Sequence, residues 1–410
     1  MNADVAARKP LTGVKVIDLS HYGAGPIGSM VLGDLGADVI KVEHPQGDSL
    51  RRAGVTFPQG WSTFFLAVNR NKRFVGIDFK TQRGQELIRD LVRDADVVLE
   101  NARPGSWDPY GLDYDSLAAI NDRLIYASIS GFGDRGPMRD WLAMDLIAQA
   151  AGGIMGITGT EQTGPARVGA AIIDATAGRL AAFGVVTALF DRVTSGKGQK
   201  LDVSLFGTAV SMLPMREVEY QFSGEIPPLT GTAHGQIIPA QAFETADGRR
   251  VLLYCFVDAH FNRWAAAAGC PELAEDPRFR TNVARKENSV ELLEIVQGIM
   301  RERTEEEWTR ALAGVVPYGP VLEFDQLWEH PQLAANDLMM PFDMPGLGEI
   351  RAVGSPVRFS RHKLTAEHLP GEVGADTVAV LREHGLSDDA IDALLAEGVV
   401  HAHPAPVPAS

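Results

Sequence analysis

Short, unbroken apolar runs alternate with longer amphipathic segments along the first half of the chain. The apolar runs predict buried strands at 14–20, 37–43, 73–79, 95–100 and 124–130. The segments between and after them predict helices at 26–35, 81–94, 113–121, 144–152 and 175–191. Apolar strands that alternate with helices are typical of a largely parallel sheet covered on both faces. This part of the chain therefore predicts an α/β fold.

The pattern changes beyond residue 217. Residues 217–235 are rich in proline and glycine and lack periodicity, which predicts a loop or connecting segment. Residues 240–256 resemble a short antiparallel unit, and helices are predicted near 259–268, 288–302 and 304–314. A smaller α+β unit is therefore expected after the α/β part. An amphipathic helix is predicted over 384–400 near the end of the chain.

Composition narrows the class of protein. The chain has 410 residues, a 45% hydrophobic fraction and a net charge of −15, which argues against nucleic acid as a partner. Its two cysteines, Cys255 and Cys270, are too few for a disulfide framework. The chain shows no apolar run of membrane-spanning length and no apolar leader, so we expect a cytoplasmic protein without membrane association.

The first strand is followed by a glycine-rich turn. Gly23, Gly25 and Gly28 form a G-x-G-x-x-G pattern that opens an apolar helix, and Glu43 ends the next predicted strand. A dinucleotide-binding fold has this arrangement, with the acid on the ribose. An NAD-dependent dehydrogenase would also need a hydride-transfer site, which the rest of the chain does not supply. The turn therefore predicts close approach of an anionic ligand without identifying it.

Asp174 is the most notable single carboxylate. The apolar run Ala170–Ile173 leads to it, and a helix of small residues follows. Asp174 fits an N-cap position, where helix amides and the helix dipole favour its ionised form. The small residues around it predict open space for a large ligand. The alternative interpretation is that Asp174 only caps the helix.

Four blocks of the sequence resemble the class III CoA-transferases of the formyl-CoA transferase type. The blocks are DLSHYGAGPIGSMVLGDLGADVIKVEHPQGD, NKRFVGIDFKTQRGQELIRDLVRDADVVLEN, RPGSWDPYGLDYDSLAAINDRLIYASISGFGDRGP and GAAIIDATAG. The resemblance implies an enzyme that moves CoA from an acyl-CoA thioester to a free carboxylic acid. Asp174 would be the nucleophile, passing through a mixed anhydride and an aspartyl-CoA thioester. It also implies CoA as substrate, no permanently bound cofactor and no metal.

The same resemblance assigns residues to the CoA site. The implied CoA contacts are His21, Gly23, Ala24, His44, Ile77, Lys80, Asn101, Ala102, Arg103, Met144 and Asp145. Among these, Lys80 would meet a phosphate group, and Asp145 would be a second acid near the nucleophile. His234 and Gly235 would belong to a loop that closes over the acyl group.

This sequence departs from the family pattern at several positions. His44, Pro109 and Leu142 stand where formyl-CoA transferase carries basic residues. The phosphate groups must therefore be bound differently, with Arg51, Arg52, Arg103 and Arg139 as candidates. The loop 231–236 also replaces a glycine-rich flap, which implies acids other than formate and oxalate.

Two alternatives within CoA chemistry remain open. α-Methylacyl-CoA racemase shares the superfamily, but its histidine before the aspartate is Met144 here, and a thioether cannot transfer a proton. A non-catalytic CoA-binding protein would be favoured only if Asp174 were dispensable.

The resemblance also implies an assembly. The family forms interlaced homodimers, with the connections around 217–235 and 316–345 as candidate crossing segments. A large Rossmann-like domain would comprise 1–224 and 326–410, and a smaller α+β domain would comprise 225–325.

Overall fold

The computed structural model describes residues 8–57 and 60–404. These form two compact units. The first contains the residues up to Ile154, Arg167–Glu217 and the residues from Gln332 onward, and the second contains Met155–Ala166 and Val218–Pro331. The domain boundaries predicted from the sequence stay a prediction, and their outermost residues, 1–7 and 405–410, lie outside the described part.

The strands and helices are numbered in chain order. The strands are β1 (Lys15–Asp18), β2 (Asp38–Glu43), β3 (Arg73–Ile77), β4 (Val97–Glu100), β5 (Ile125–Ser130), β6 (Gly159–Thr160), β7 (Gly164–Pro165), β8 (Gln199–Ser204), β9 (Ala240–Glu244), β10 (Arg250–Tyr254), β11 (Tyr318–Pro320), β12 (Met339–Met344), β13 (Gly348–Val353) and β14 (Val400–His401). The helices are α1 (Ala24–Asp34), α2 (Thr63–Val68), α3 (Gln82–Arg93), α4 (Tyr114–Ala118), α5 (Asp145–Ala151), α6 (Ile172–Ser195), α7 (Leu205–Ser211), α8 (Arg216–Ser223), α9 (Asp258–Ala268), α10 (Glu272–Glu275), α11 (Asn282–Glu287), α12 (Ser289–Met300), α13 (Glu305–Leu312), α14 (Phe324–Trp328), α15 (Pro331–Ala335), α16 (Thr377–Glu383) and α17 (Asp388–Ala396).

A seven-stranded sheet forms the centre of the first unit, in the order β14-β3-β2-β1-β4-β5-β8. The strands run parallel except β14, which pairs antiparallel with β3. The predicted α/β class with a large, mainly parallel sheet is confirmed. The strand order reverses between β1 and β4, and the crevice at the carboxyl ends of such strands is where ligands bind in open α/β sheets.

The sheet is covered by apolar side chains on both faces, which explains the unbroken apolar runs in its strands. On β1, Val16 belongs to the core on one face and Ile17 to the core on the other. Helices α1 and α6 lie together on the Val16 face, and their residues Leu32, Ala177 and Ala181 are part of that core. This packing brings the helix after the glycine turn next to the helix that carries Asp174.

The second unit contains an antiparallel sheet in the order β11-β10-β9. Its core includes Phe243, Trp264 and Trp308, supplied by β9 and by helices α9 and α13. The antiparallel unit predicted over 240–256 and the helices predicted after it are confirmed.

Several elements differ from the expectation. Helix α8 occupies part of the predicted loop 217–235, although its apolar residues Val218, Tyr220 and Phe222 alternate with polar ones, a spacing that does not indicate a helix. The predicted helix 384–400 is shorter, since the Ser387 hydroxyl caps α17 and the chain leaves the helix after Ala396. Strand β8 and the hairpin β12–β13 were not predicted.

Helix α6 is long and apolar enough to cross a membrane by length and composition alone. The mean hydropathy of its most apolar stretch is 1.5, and 39% of that stretch is buried within the molecule. Core helices of globular proteins pass the same test, so this is weak evidence. The expectation of no membrane association stays a prediction.

Candidate active site

The glycine turn after β1 is held from the neighbouring strand. Asn101, directly after β4, pairs with the backbone of His21: its Oδ1 accepts from the His21 N–H at 2.8 Å, and its Nδ2 donates to the His21 carbonyl at 2.6 Å. Gly25 is required here, because a Cβ would lie 2.3 Å from the Cβ of Ser20. Two residues predicted for the CoA site, His21 and Asn101, are therefore in contact.

A buried charge cluster lies under this turn. Asp18 accepts from the Ser29 hydroxyl at 2.6 Å and from Lys72 Nζ at 3.1 Å, and Lys41 Nζ donates to the Ser20 carbonyl at 2.6 Å. Burial opposes ionisation of Asp18, but the charges of Lys72 and Lys41 outweigh it and hold its pKa well below the usual range. Burial also lowers the pKa of Lys72 to about 8, against the attraction of Asp18. The cluster fixes the end of β1 to the start of α1.

Asp174 lies in the first turn of α6, and the prediction that it is the N-cap is wrong. The N-cap residue is Ala171, which makes no side-chain cap. The capping carboxylate comes from α5 instead: Asp145 Oδ2 accepts from the N–H groups of Ile173 and Asp174, at 2.8 and 3.0 Å. Asp145 therefore takes the capping role at the start of α6 that the sequence assigned to Asp174.

The Asp174 carboxylate lies directly against the glycine turn. A Cβ built on Gly23 would be 2.4 Å from Asp174 Oδ2. Burial first, and then the negative charge of Asp145, raise the pKa of Asp174 to about 6. The expectation that its surroundings favour the ionised form is therefore wrong, because the carboxylate is desolvated beside a like charge.

The small residues around Asp174 mainly allow helices α6 and α1 to pack closely against each other. A Cβ on Gly178 would lie 2.4 Å from the carbonyl oxygen of Ala24, so α6 and α1 approach with backbone in contact. Ala177 is also fully buried. Only the segment before the helix is open: a Cβ added at Gly169 would meet no other group within 4 Å. The predicted open space is thus limited to one side of Asp174.

A cavity of about 410 Å³ opens at the carboxyl ends of β1, β2 and β4. It is lined by Leu19, Ser20, His21, Val42, Glu43, His44, Gly47, Asp48, Ser49, Phe79, Ala102, Ser106, Trp107 and Tyr110. Three predicted CoA contacts, His21, His44 and Ala102, therefore share one cavity. No lysine or arginine is among these lining residues, so the cavity is suited to a ring or other uncharged group.

The cavity carries an aromatic cluster that was missed in the sequence. Phe79 meets Trp107 edge-on at 5.2 Å and Tyr110 at 5.8 Å between ring centroids. His44 lies beside them with its Nε2 3.4 Å from Asp78 Oδ1, while its Nδ1 accepts from the Gln46 N–H. The positions of Phe79 and His44 just beyond the ends of β3 and β2 were the signal available in the sequence.

The candidate phosphate-binding cations differ in availability. Arg51 pairs with Glu43 at 2.6 Å and lies over the Phe65 ring at 3.9 Å. The same pairing engages Glu43, the acid that would bind the ribose in a dinucleotide-binding fold. Arg52 donates to the Gln46 carbonyl at 3.2 Å. Lys80 is exposed at the end of β3.

A second cavity, of about 260 Å³, brings together Arg103, Arg139 and Lys200. Glu100 also lines it, and burial raises the pKa of this carboxyl to about 7 against its hydrogen bonds. Two of the four candidate arginines, Arg103 and Arg139, are therefore close together with a third cation.

The remaining predicted residues of the first unit differ in the exposure of their side chains. Ile77 is fully buried in the core, so its side chain cannot reach a ligand, and any contact would involve backbone. Met144 is exposed and precedes Asp145, which is buried. Within the described residues, no group of three or more His, Cys, Asp or Glu side chains is arranged to hold a metal ion.

His234 and Gly235 belong to the second unit. The His234 N–H donates to the Ala240 carbonyl at 2.8 Å, and its ring lies 5.9 Å from the Tyr254 ring. Gly235 has open space around it. The loop is therefore fixed to the sheet of its own unit at His234 and open at the next residue.

The chain is similar to known proteins along most of its length. Residues 11–377 match the sequence model of CoA-transferase family III. The chain is 36% identical to succinyl-CoA:glutarate CoA-transferase of Mus musculus over 98% of this chain and 92% of that protein. It is 33% identical to formyl-CoA:oxalate CoA-transferase of Streptomyces avermitilis, over 96% of this chain and 100% of that protein.

A solved structure is also similar: the crystal structure of a CAIB/BAIF family protein from Brucella suis. It matches with a TM-score of 0.82 and 36% identity, covering 92% of this chain and 100% of that chain. Proteins of this family use CoA thioesters as substrates, as the resemblance implied. The chain therefore belongs to CoA-transferase family III and is a CoA-transferase.

Proposed function

We propose that this enzyme transfers CoA from an acyl-CoA to a free carboxylic acid through covalent intermediates on Asp174. The observation that carries the proposal is the position of the Asp174 carboxylate against Gly23, at the N-terminus of α1 and beside the ligand crevice. A carboxylate in that position is half-buried, makes no capping bond to its own helix and lies next to unpaired helix amides.

The reaction proceeds in reversible steps. An Asp174 oxygen attacks the thioester carbonyl, the carbon–sulfur bond breaks, and the CoA thiolate leaves a mixed anhydride behind. The thiolate then attacks the aspartyl carbonyl of the anhydride, which releases the first acid and forms an aspartyl-CoA thioester. A second carboxylate attacks this thioester, and the same steps in reverse produce the new acyl-CoA and free Asp174.

The start of α1 supplies donors for the oxyanions of these steps. The N–H groups of Ala24 and Gly25 belong to the first turn and have no partner within the helix. Donors fixed in a partly water-excluded site stabilise the developing negative charge. With a pKa of about 6, Asp174 is mostly ionised at pH 7 and more basic than an ordinary aspartate, which makes it a stronger nucleophile.

We assign the nucleotide part of CoA to the crevice of the first unit. The cavity lined by Phe79, Trp107 and Tyr110 suits the adenine ring, because aromatic faces and edges pack favourably against it. Lys80 and Arg103 directly follow the lining residues Phe79 and Ala102, and we assign them to the phosphates. CoA is bound as a substrate, and the cycle requires no permanent cofactor.

The acceptor acid is proposed to be a dicarboxylate. The two named relatives act on glutarate and on oxalate, according to their descriptions. Racemisation is less well supported, because Met144 has replaced the histidine of the racemases and a thioether cannot carry a proton. A panel of acyl-CoA donors with succinate, glutarate, oxalate and acetate, followed by mass spectrometry, identifies the acids.

A homodimer is proposed from the exposed face of α6. Phe183, Phe190 and Val193 on this helix are 70%, 80% and 81% exposed. A contiguous apolar stripe of this kind marks an interface in soluble proteins. The family resemblance supports interlacing of two chains. Light scattering at micromolar concentration is expected to give the mass of a dimer, and a monomer would refute the assembly.

The decisive experiment replaces the nucleophile. Asp174→Asn keeps the size of the side chain but cannot form the anhydride, so transfer should fall to background while the fold is retained. Asp191→Asn is the matched control, since Asp191 is exposed near the far end of the same helix. Wild-type enzyme incubated with acyl-CoA and hydroxylamine should carry a modification on Asp174. Transfer that persists in Asp174→Asn would disprove the mechanism.

A further inference from the structure

Helix α5 holds the backbone segment that presents Asp174. Asp145, in its first turn, accepts through Oδ2 from the N–H groups of Ile173 and Asp174. Gln149, one turn later, accepts through Oε1 from the Val168 N–H at 2.9 Å. Both side chains are buried. They also bind each other, because Gln149 Nε2 donates to Asp145 Oδ1. We call Asp145 and Gln149 the clasp.

We propose that Asp145 is a positioning residue that fixes the start of α6 and, through its negative charge, raises the pH at which Asp174 becomes a nucleophile. This inference rests on the proposed covalent role of Asp174. It assigns no proton transfer to Asp145, because both of its oxygens are already engaged as hydrogen-bond acceptors.

The geometry separates the two effects of the clasp. The hydrogen bonds hold the chain on both sides of the open segment 169–171, so the first turn of α6 cannot shift away from the glycine turn. The charge acts through space: a carboxylate near another carboxylate disfavours the ionised form of its neighbour. Burial and this charge together account for the raised pKa of Asp174.

Other charged groups near Asp174 do not oppose this effect. The titratable or cationic side chains on the adjacent segments are His21, Tyr22, Arg167 and Arg179. Arg167 donates to the carbonyls of Val168 and Gly169, and Arg179 donates to the carbonyl of Ala175. Burial lowers the pKa of His21, so it is largely neutral at pH 7. The charge that acts on the Asp174 carboxylate is that of Asp145.

The raised pKa has a chemical use. A more basic carboxylate attacks a thioester faster. The cost is a requirement for higher pH, because only the ionised carboxylate attacks. Turnover should therefore fall as the pH drops through the apparent pKa of Asp174, near 6 in the wild-type protein.

The test compares the pH dependence of the rate at which acetyl-CoA forms the adduct on Asp174, followed by mass spectrometry of rapidly quenched protein. No hydroxylamine is added here, because that reagent has an acid–base transition of its own in the same pH range. We call the loss of rate at low pH the acid limb of the profile. Acetyl-CoA carries no ionisable acyl group, so this limb reports ionisation of the enzyme. Asp145→Asn keeps an oxygen for the two amides but removes the charge. Because burial contributes more than Asp145 to the raised pKa of Asp174, the acid limb of this variant should move down by about 1 pH unit or less. Gln149→Leu loosens the segment without changing charge, so it should lower the rate and leave the acid limb in place.

The controls distinguish the possible failures. Asp191→Asn should leave both rate and acid limb unchanged. An acid limb near pH 4 in the wild type, or an unmoved limb in a folded Asp145→Asn protein, would overturn the inference while leaving the nucleophile in place. If circular dichroism shows that Asp145→Asn does not fold, the acid limb of the wild type and the pH profile of Gln149→Leu still test the inference. Absence of any adduct on Asp174 would instead refute the proposed function.

Discussion

The contact between Gly23 and Asp174 permits a test in which a single methyl group is added next to the proposed nucleophile. In Gly23→Ala, the new methyl would lie 2.4 Å from Asp174 Oδ2 and 3.1 Å from its Cγ. Ordinary van der Waals contact begins near 3.4 Å. The carboxylate oxygen must therefore retreat by about 1 Å, because the turn is fixed by Asn101 and by the buried charge cluster.

The substitution should leave the fold intact. Gly23 has φ −102° and ψ −75°, at the edge of the right-handed helical region, and its negative φ is compatible with alanine. The added group meets the end of a side chain and not the backbone. A displacement of about 1 Å at a reacting group costs on the order of 10²-fold in rate. We therefore expect kcat to fall by about 10²-fold, with the melting temperature little changed.

The assay measures transfer between succinyl-CoA and glutarate by mass spectrometry, together with the hydroxylamine adduct on Asp174. Gly169→Ala is the matched control, since a Cβ at Gly169 meets nothing within 4 Å. Its kcat should equal that of the wild type. Wild-type kcat in Gly23→Ala would refute the idea that the Asp174 carboxylate works from its position against the turn.

Two other predictions concern ligand binding and stability. Lys80→Ala should raise KM for acyl-CoA about tenfold and change kcat less, because it removes one charge-assisted phosphate contact; Arg83→Ala, which removes an exposed cation paired with Glu86, should change neither constant. Asp18→Asn should lower the free energy of unfolding by about 3–5 kcal/mol in urea titrations, because it leaves Lys72 buried without its partner. Because Asp18 titrates lower in the folded protein than in the unfolded chain, its contribution is present at neutral pH and is lost as the pH falls below its ordinary value of 3.8. A KM unchanged in Lys80→Ala would contradict the phosphate contact of Lys80. An unfolding free energy of Asp18→Asn equal to that of the wild type would contradict the stabilising role of the Asp18–Lys72 pair.

The sequence predicted the sheet well, because buried parallel strands leave unbroken apolar runs. The strands β1 to β5 all lie within predicted ranges. Strand β8 was not predicted, because it is only partly buried and its sequence, QKLDVS, alternates polar with apolar residues. The hairpin β12–β13 fell within a region rich in proline and glycine, whose composition predicts connections.

The site was predicted less completely, because its geometry depends on contacts distant in sequence. Asp174 looks like a cap from its local pattern, but the capping carboxylate, Asp145, comes from another helix. Arg51 looked available for a phosphate, but it is paired with Glu43. Local sequence patterns show which residues are near an element's end and not which partner they already bind.

The glycine turn illustrates why the same motif serves a different ligand here. In a dinucleotide fold, the positive end of the helix after the turn faces a pyrophosphate. In this protein the Asp174 carboxylate lies against Gly23, so that end of α1 already faces a negative group. The ribose-binding acid is also occupied, because Glu43 is paired with Arg51 and accepts from the Asp48 N–H. A pyrophosphate at the turn would be repelled by Asp174, whereas a thioester carbonyl there would meet both the proposed nucleophile and the helix amides. The side chain that α6 brings to the turn therefore determines its chemistry, and the glycines supply only the close approach.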